Sequence, residues 1–288
     1  MKGLKMAFEE FFMPLQFIFM QKAFLIAIIL SFPTAILSCF LVIKGWALMG
    51  DAISHAVLPG IVIAYIAGIP LLIGAFIAGM LCAWGTGFFS DNSRIKEDTI
   101  MGIIFSGMFG LGIVLFVAFD TTAHLEHILF GNILGIDKSD ILTALIITFM
   151  IVSFFSIFWR DLMLLSFDPI QAKALALPTG FLHYGLLAAL SLVIIATLKA
   201  VGLILAIGLL IIPGAIAFLL SKRLSSMLII SVFVNICAMI IGLYLSFYID
   251  SAPAPTIIIV LTGMFFLVFL RKTFIDKKNV NIFISGAK

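Results

Sequence analysis

Residues 50–90 read GDAISHAVLPGIVIAYIAGIPLLIGAFIAGMLCAWGTGFFS, and after Asp51 no Asp, Glu, Lys or Arg occurs before Asp91. A hydrocarbon core takes about 20 apolar residues per helical crossing, so this stretch is long enough to cross twice. Further runs free of those four residue types cover 23–43, 99–119, 141–159, 181–198, 200–221, 224–249 and 251–270. The chain as a whole is 64% hydrophobic and 11% charged, whereas a soluble domain carries about a quarter charged residues. These runs predict an all-α integral membrane protein with eight or nine transmembrane helices. The count turns on 200–221, where Gly202, Gly208, Pro213 and Gly214 allow a broken or re-entrant helix in place of a plain span.

One membrane domain is expected over 23–272, followed by a cytoplasmic tail at 273–288. Residues 1–22 read as an interfacial amphipathic lead-in, with Phe8, Phe11, Phe12 and Leu15 set against Lys5, Glu9 and Glu10. No secretory signal is expected, because the first apolar run is too long for one. Positive charge in short loops marks the cytoplasmic side. Lys44, Arg94 with Lys96, Arg160 with Lys173, Lys222 with Arg223, and Arg271 with Lys272 all fall on one side if the first span runs inward. With nine spans the N-terminus is then outside and the C-terminus inside. The net charge of +3 follows from this loop pattern and describes no nucleic-acid-binding patch. Cys39, Cys82 and Cys237 lie in separate spans, without metal-ligand or redox spacing, and read as packing residues.

Asp51 and His55 are the anomaly in this pattern. At 1.5 Å per residue they lie about 10 Å and about 16 Å beyond Lys44, near the middle of a core about 30 Å thick. A carboxylate there costs on the order of 3 kcal/mol or more unless something pairs with it. Residues i and i+4 share a helix face, so the two side chains project together, with Ser54 just off the stripe. Imidazole plus carboxylate suits divalent Mn, Fe and Zn, and suits Cu(I) less well. Three readings follow from the spacing: a metal pathway, a proton relay, or an internal hydrogen bond that satisfies two buried groups. Pro59 and Gly60 are expected to break the helix just beyond the pair. Two ligands are too few to strip a divalent ion of water, which favours a pathway shared with a second subunit.

Other polar residues read more plainly. His124, Glu126 and His127 fall in an outside loop; they lack the HExxH spacing and read either as a solvated loop or as a metal funnel at the mouth. His183 and Tyr184 sit where amphipathic rings anchor at the cytoplasmic interface. Asn235, inside a span, reads as interhelical glue. In residues 167–178, FDPIQAKALALP, Asp168 can cap a helix, Pro169 suits its first position and Pro178 stops it. The result is a short cytoplasmic helix near 168–177, which serves either as a connector or as an element that docks into a soluble partner through Asp168, Pro169, Gln171, Ala172 and Lys173. No GxxxxGK[ST] loop occurs, so any nucleotide that drives the protein is bound by another chain.

Four segments, taken together, resemble the permease subunits of bacterial metal-ion ABC importers: GDAISHAVLPG at 50–60, FGNILG at 130–135, FDPIQAKALALP at 167–178 and GLLIIPGAIA at 208–217. They occur in the family's order over nearly the whole chain. KGWALMGD at 44–51 and NSRIKED at 92–98 look most like the manganese and iron branch, with zinc permeases as close relatives. The resemblance implies a type II-like importer fold in the bacterial inner membrane, with no permanently bound cofactor and a transported divalent ion (Mn, Fe or Zn). It implies a second permease chain, identical or homologous, two cytoplasmic ATP-binding subunits and an extracytoplasmic metal-binding protein. It assigns ion passage to Asp51 and His55 and ATPase coupling to the 168–177 helix, and it places ATP hydrolysis outside this chain. The family usually has an acid after the Asp-Pro and a glycine before the Leu-Pro, where this chain has Ile170 and Ala176. The competing readings are a proton-coupled secondary transporter or channel and an intramembrane hydrolase, the latter without a convincing nucleophile and base.

Overall fold

The structure is a computed structural model that describes residues 13–46, 48–119 and 133–285, with only the backbone of Asp91, Glu97 and residues 275–285. His124, Glu126, His127, Phe130, Gly131 and Asn132 lie outside the described residues, as do Phe8, Phe11 and Phe12. A short 3-10 turn at Met13–Gln16, which includes Leu15, leads into the first helix. The helices are α1 (Ile18–Lys44), α2 (Met49–Ala56), α3 (Leu58–Ile66), α4 (Leu71–Asp91), α5 (Glu97–Ala118), α6 (Lys138–Phe167), α7 (Pro169–Ala174), α8 (Thr179–Val201), α9 (Leu203–Leu220), α10 (Leu224–Ile249) and α11 (Pro253–Ser285).

Among the described residues nine helical segments are long and apolar enough to cross a membrane, α2 and α3 together forming one of them. The 200–221 region is therefore a full span. It is separated from α8 by Gly202 alone, whose φ of 84° and ψ of 169° are open essentially to glycine only. Beyond the last span α11 continues as helix to Ser285, because no Pro or Gly interrupts 272–285.

Helices in lipid gain little from mutual hydrophobic burial, so they associate through small residues and interhelical hydrogen bonds. α1 is the hub, packing against α6, α9 and α10. Along α1, Asn235 Nδ2 donates to the Ser31 carbonyl (3.2 Å) and to Thr34 Oγ1 (2.8 Å), and Ser231 Oγ donates to the Ala35 carbonyl (3.1 Å). Asn235 is thus glue between α1 and α10, as its position in a span predicts. On the α9 side, Ser38 Oγ donates to the Ile211 carbonyl (3.2 Å) and accepts from the Gly214 N–H (2.8 Å). Pro213 deprives this helix of one internal hydrogen bond, and Ser38 bridges the same turn. A side chain on Gly214 would collide with the Ser38 backbone.

Polar contacts sort the helix ends onto two faces. Lys22 Nζ, at the start of α1, donates to the Ile136 carbonyl (3.2 Å), and Lys199, at the end of α8, pairs with Asp140 at the start of α6. These ends share one face, the one that the positive-inside expectation puts outside. Lys44, by contrast, covers Trp46, which meets His183 at the start of α8 on the opposite face.

Candidate functional site

The Asp51–His55 pair is built by a turn the sequence conceals. α1 ends in a left-handed cap at Gly45 (φ 72°), where the Trp46 N–H donates back to the Leu41 carbonyl (2.8 Å). α1 ends at Lys44 and α2 begins only at Met49, so a continuous helical rise counted from Lys44 overestimates how far along its span the pair lies. Measured from Met49, Asp51 lies about 3 Å and His55 about 9 Å along the span. The pair therefore lies in the half of its span nearer Met49. Asp51 is in the first turn of α2, where free N–H groups favour a carboxylate, and His55 is in the last turn.

His55 Nε2 stands 3.4 Å from Asp51 Oδ1, with the side chains 28% and 37% exposed respectively. Ser54 is turned away, buried and donating to the Gly50 carbonyl (2.6 Å), so it supplies no hydroxyl for hydrolytic chemistry. Met49 is also buried, on another face. Behind the pair, Gly50 rests against Leu210 of the GLLIIPGAIA segment, where a Cβ would stand 3.4 Å from Leu210 Cδ1, and Ile53 meets Gly79 of α4. Two of the segments that carried the resemblance therefore meet at this helix.

Beyond the pair the chain bends without breaking. Val57 keeps right-handed helical angles between α2 and α3, while Pro59 removes the i+4 donor that the His55 carbonyl would otherwise have. The expected break is thus a kink. α3 then meets α4 backbone to backbone: a side chain at Gly60 would overlap the Gly74 carbonyl, and one at Gly74 the Gly60 carbonyl.

Among the described residues no group of three or more His, Cys, Asp or Glu side chains converges. The site within this chain is two-pronged, one oxygen donor and one nitrogen donor. Cys39, Cys82 and Cys237 are free and take no part in it.

The 168–177 segment forms a shorter helix than expected. Asp168 Oδ1 accepts from the Ile170 N–H (3.1 Å) and the Gln171 N–H (2.9 Å), and Pro169 occupies the first turn. The helix ends at Ala174 because Ala176 is left-handed (φ 54°), with the Leu177 N–H donating to the Ala172 carbonyl (3.2 Å). The position where the family usually has glycine is therefore one whose conformation favours glycine. Ala172 is fully buried, while Asp168, Pro169, Gln171 and Lys173 are exposed, and Phe167, Ile170 and Leu175 hold large apolar groups in the open.

His183 packs inward: its ring lies 5.4 Å from that of Trp46 at 82°, and Lys44 Nζ covers the same indole at 4.3 Å. Only Tyr184 of that dipeptide keeps an exposed, interfacial position. Hydropathy alone did not flag Trp46, nor did it flag Phe105 and Phe109 of α5, whose rings stand 6.1 Å and 5.1 Å from that of His55. The signal available for the phenylalanines was their own i,i+4 spacing.

The model of the ABC 3 transport family matches residues 16–272. This chain belongs to that family. Among ABC 3 relatives, the chelated iron transport system membrane protein YfeD of Yersinia pestis is 50% identical over 267 residues, 93% of this chain and 90% of that protein. The manganese transport system membrane protein MntB of Synechocystis sp. is 41% identical over 257 residues, 89% of this chain and 84% of that one. The solved structure of PsaBC from Streptococcus pneumoniae in complex with Fab aligns at a TM-score of 0.82 and 36% identity, covering 91% of this chain and 95% of that chain. The ABC 3 chain described here is accordingly a multi-pass membrane permease subunit, a translocation component.

Proposed function

We propose that this chain is the membrane permease of an ATP-driven importer of manganese or iron ions in the bacterial inner membrane. The observation that carries the reading is the Asp51–His55 pair, 3.4 Å apart and partly exposed in a spanning helix of an ABC 3 chain. It is supported by relatives whose names specify iron and manganese transport, and by the hard-oxygen and imidazole donor set, which suits both ions.

The transported ion is the substrate, and this chain offers it two donors. A second permease chain set against the exposed side of the pair would supply the remainder; the exposed apolar face of α5, with Ile103, Val114 and Val117, suits such a contact. An extracytoplasmic binding protein would deliver the ion to the outer face. On the inner face, Asp168, Pro169, Gln171, Ala172 and Lys173 form the ATPase-coupling helix, in which Ala172 anchors to this chain and the exposed residues meet a separate ATP-binding subunit. Motion of α7 has a packed route to the site. α7 leads into α8, whose His183 abuts Trp46, and Trp46 lies in the turn that starts α2.

The test is complementation. A strain lacking its manganese and iron importers is grown on limiting metal with the complete transporter carrying wild-type permease, Asp51→Ala or His55→Ala. Loss of growth rescue at normal membrane levels of all subunits is expected. Full rescue by both variants would remove the pair from the pathway.

A further inference from the structure

The imidazole of His55 packs against aromatic rings. Phe105 and Phe109 are four residues apart on α5 and meet His55, itself four residues from Asp51 on α2. The Phe109 ring stands edge to face with the imidazole (5.1 Å, 74°), and that of Phe105 lies farther away and more nearly parallel (6.1 Å, 31°).

One turn beyond Phe109 the two elements are held close. A Cβ on Gly112 would come within 2.9 Å of Leu58 Cγ and the Pro59 nitrogen. The spacing between α5 and the α2–α3 kink is thereby fixed next to the ring contact. Within the site, His55 Nδ1 is buried without a hydrogen-bond partner, while Nε2 faces Asp51. A metal-binding histidine ordinarily donates its second nitrogen to a carbonyl or carboxylate, which orients the ring. No such group orients His55 among the described residues. The phenyl rings are what touch it.

We propose that Phe109, backed by Phe105, is a positioning residue for ion uptake. It holds the imidazole so that Nε2 stays directed at Asp51, doing by edge-to-face packing what a hydrogen-bonded partner does in other metal sites. This rests on Asp51 and His55 being the ion's donors. It predicts a residue that controls how tightly the ion is taken while itself contacting no ion. Edge-to-face pairing is specific to a ring, so leucine, which fills similar space, cannot replace it, whereas tyrosine can.

The experiment uses the complete transporter in proteoliposomes and follows ATP-driven uptake against manganese concentration. Wild type is compared with Phe109→Leu, Phe109→Tyr, Phe105→Leu and Asp51→Ala. Phe109→Leu is expected to raise KM roughly three- to tenfold, the range an aromatic pair commands, with maximal rate retained. Phe109→Tyr should stay within twofold of wild type (about 0.4 kcal/mol), and Phe105→Leu should fall between. If Phe109→Leu does not assemble, Phe109→Met takes its place. An unchanged KM in Phe109→Leu, or a loss confined to maximal rate, overturns the positioning role while Asp51→Ala remains inactive. If Asp51→Ala transports like wild type, the assignment of the donor pair itself has failed.

Discussion

Replacing Asp168 with alanine removes both hydrogen bonds that hold the start of α7, those from the Ile170 and Gln171 N–H groups. A side-chain cap of this kind contributes about 1 kcal/mol, which shifts the balance between formed and frayed helix roughly fivefold. Six residues are far too few for a helix to persist on its own, so α7 leans on the buried Ala172 and the Asp168 cap to keep its shape. The population of docking-competent α7 should fall by that factor. The assay is ATP hydrolysis by the assembled transporter, stimulated by metal-loaded binding protein, together with metal uptake. Both should drop about fivefold in Asp168→Ala when the ATPase is subsaturating and recover at high ATPase concentration. Asp168→Asn caps almost as well as aspartate and should remain close to wild type. The left-handed Ala176 offers a second handle. Relieving its strain with Ala176→Gly returns about 0.5–1 kcal/mol after the extra freedom glycine adds to the unfolded loop, so the double variant should regain part of the loss. If Asp168→Asn is as impaired as Asp168→Ala, the carboxylate acts through its charge on the partner and the capping argument is wrong.

Three further outcomes follow from packing. Gly74→Val places atoms onto the Gly60 carbonyl and Ala64, forces α3 from α4, and should lower the midpoint of thermal aggregation in detergent, as overpacking costing about 1–3 kcal/mol does. Gly202→Ala puts a side chain at φ 84°, ψ 169° and should destabilise the α8–α9 corner by a similar amount, about 1–3 kcal/mol, read by proteolysis of the outer face. Asn235→Ala removes two hydrogen bonds to α1 at about 0.6–1.7 kcal/mol; unchanged thermal stability would show that these two bonds do not hold the seam.

The spans were legible because uncharged runs of crossing length are a direct statement of what lipid tolerates. The i,i+4 pairing of Asp51 and His55 was legible for the same reason, since a short repeat on one helix needs no knowledge of its neighbours. Their place along the span was not, because it depends on Gly45, one residue that ends α1 by taking a left-handed conformation and leaves no mark in hydropathy. Pro59 signals an interruption, but whether that is a break or a kink is decided by how Gly60 and Gly112 let α4 and α5 approach. His183 and the two phenylalanines illustrate the remaining limit. In an apolar helix a ring facing lipid and a ring facing a histidine have the same local sequence, and only tertiary contact separates them.

The most direct test of the account is ATP-driven manganese flux into proteoliposomes that contain the whole transporter, with Asp51→Ala, His55→Ala and the double variant compared at matched rates of ATP hydrolysis. Flux reduced to background in each variant, with hydrolysis and subunit assembly intact, is the predicted result. Flux equal to wild type in the double variant would contradict it and place the ion's path elsewhere in the fold.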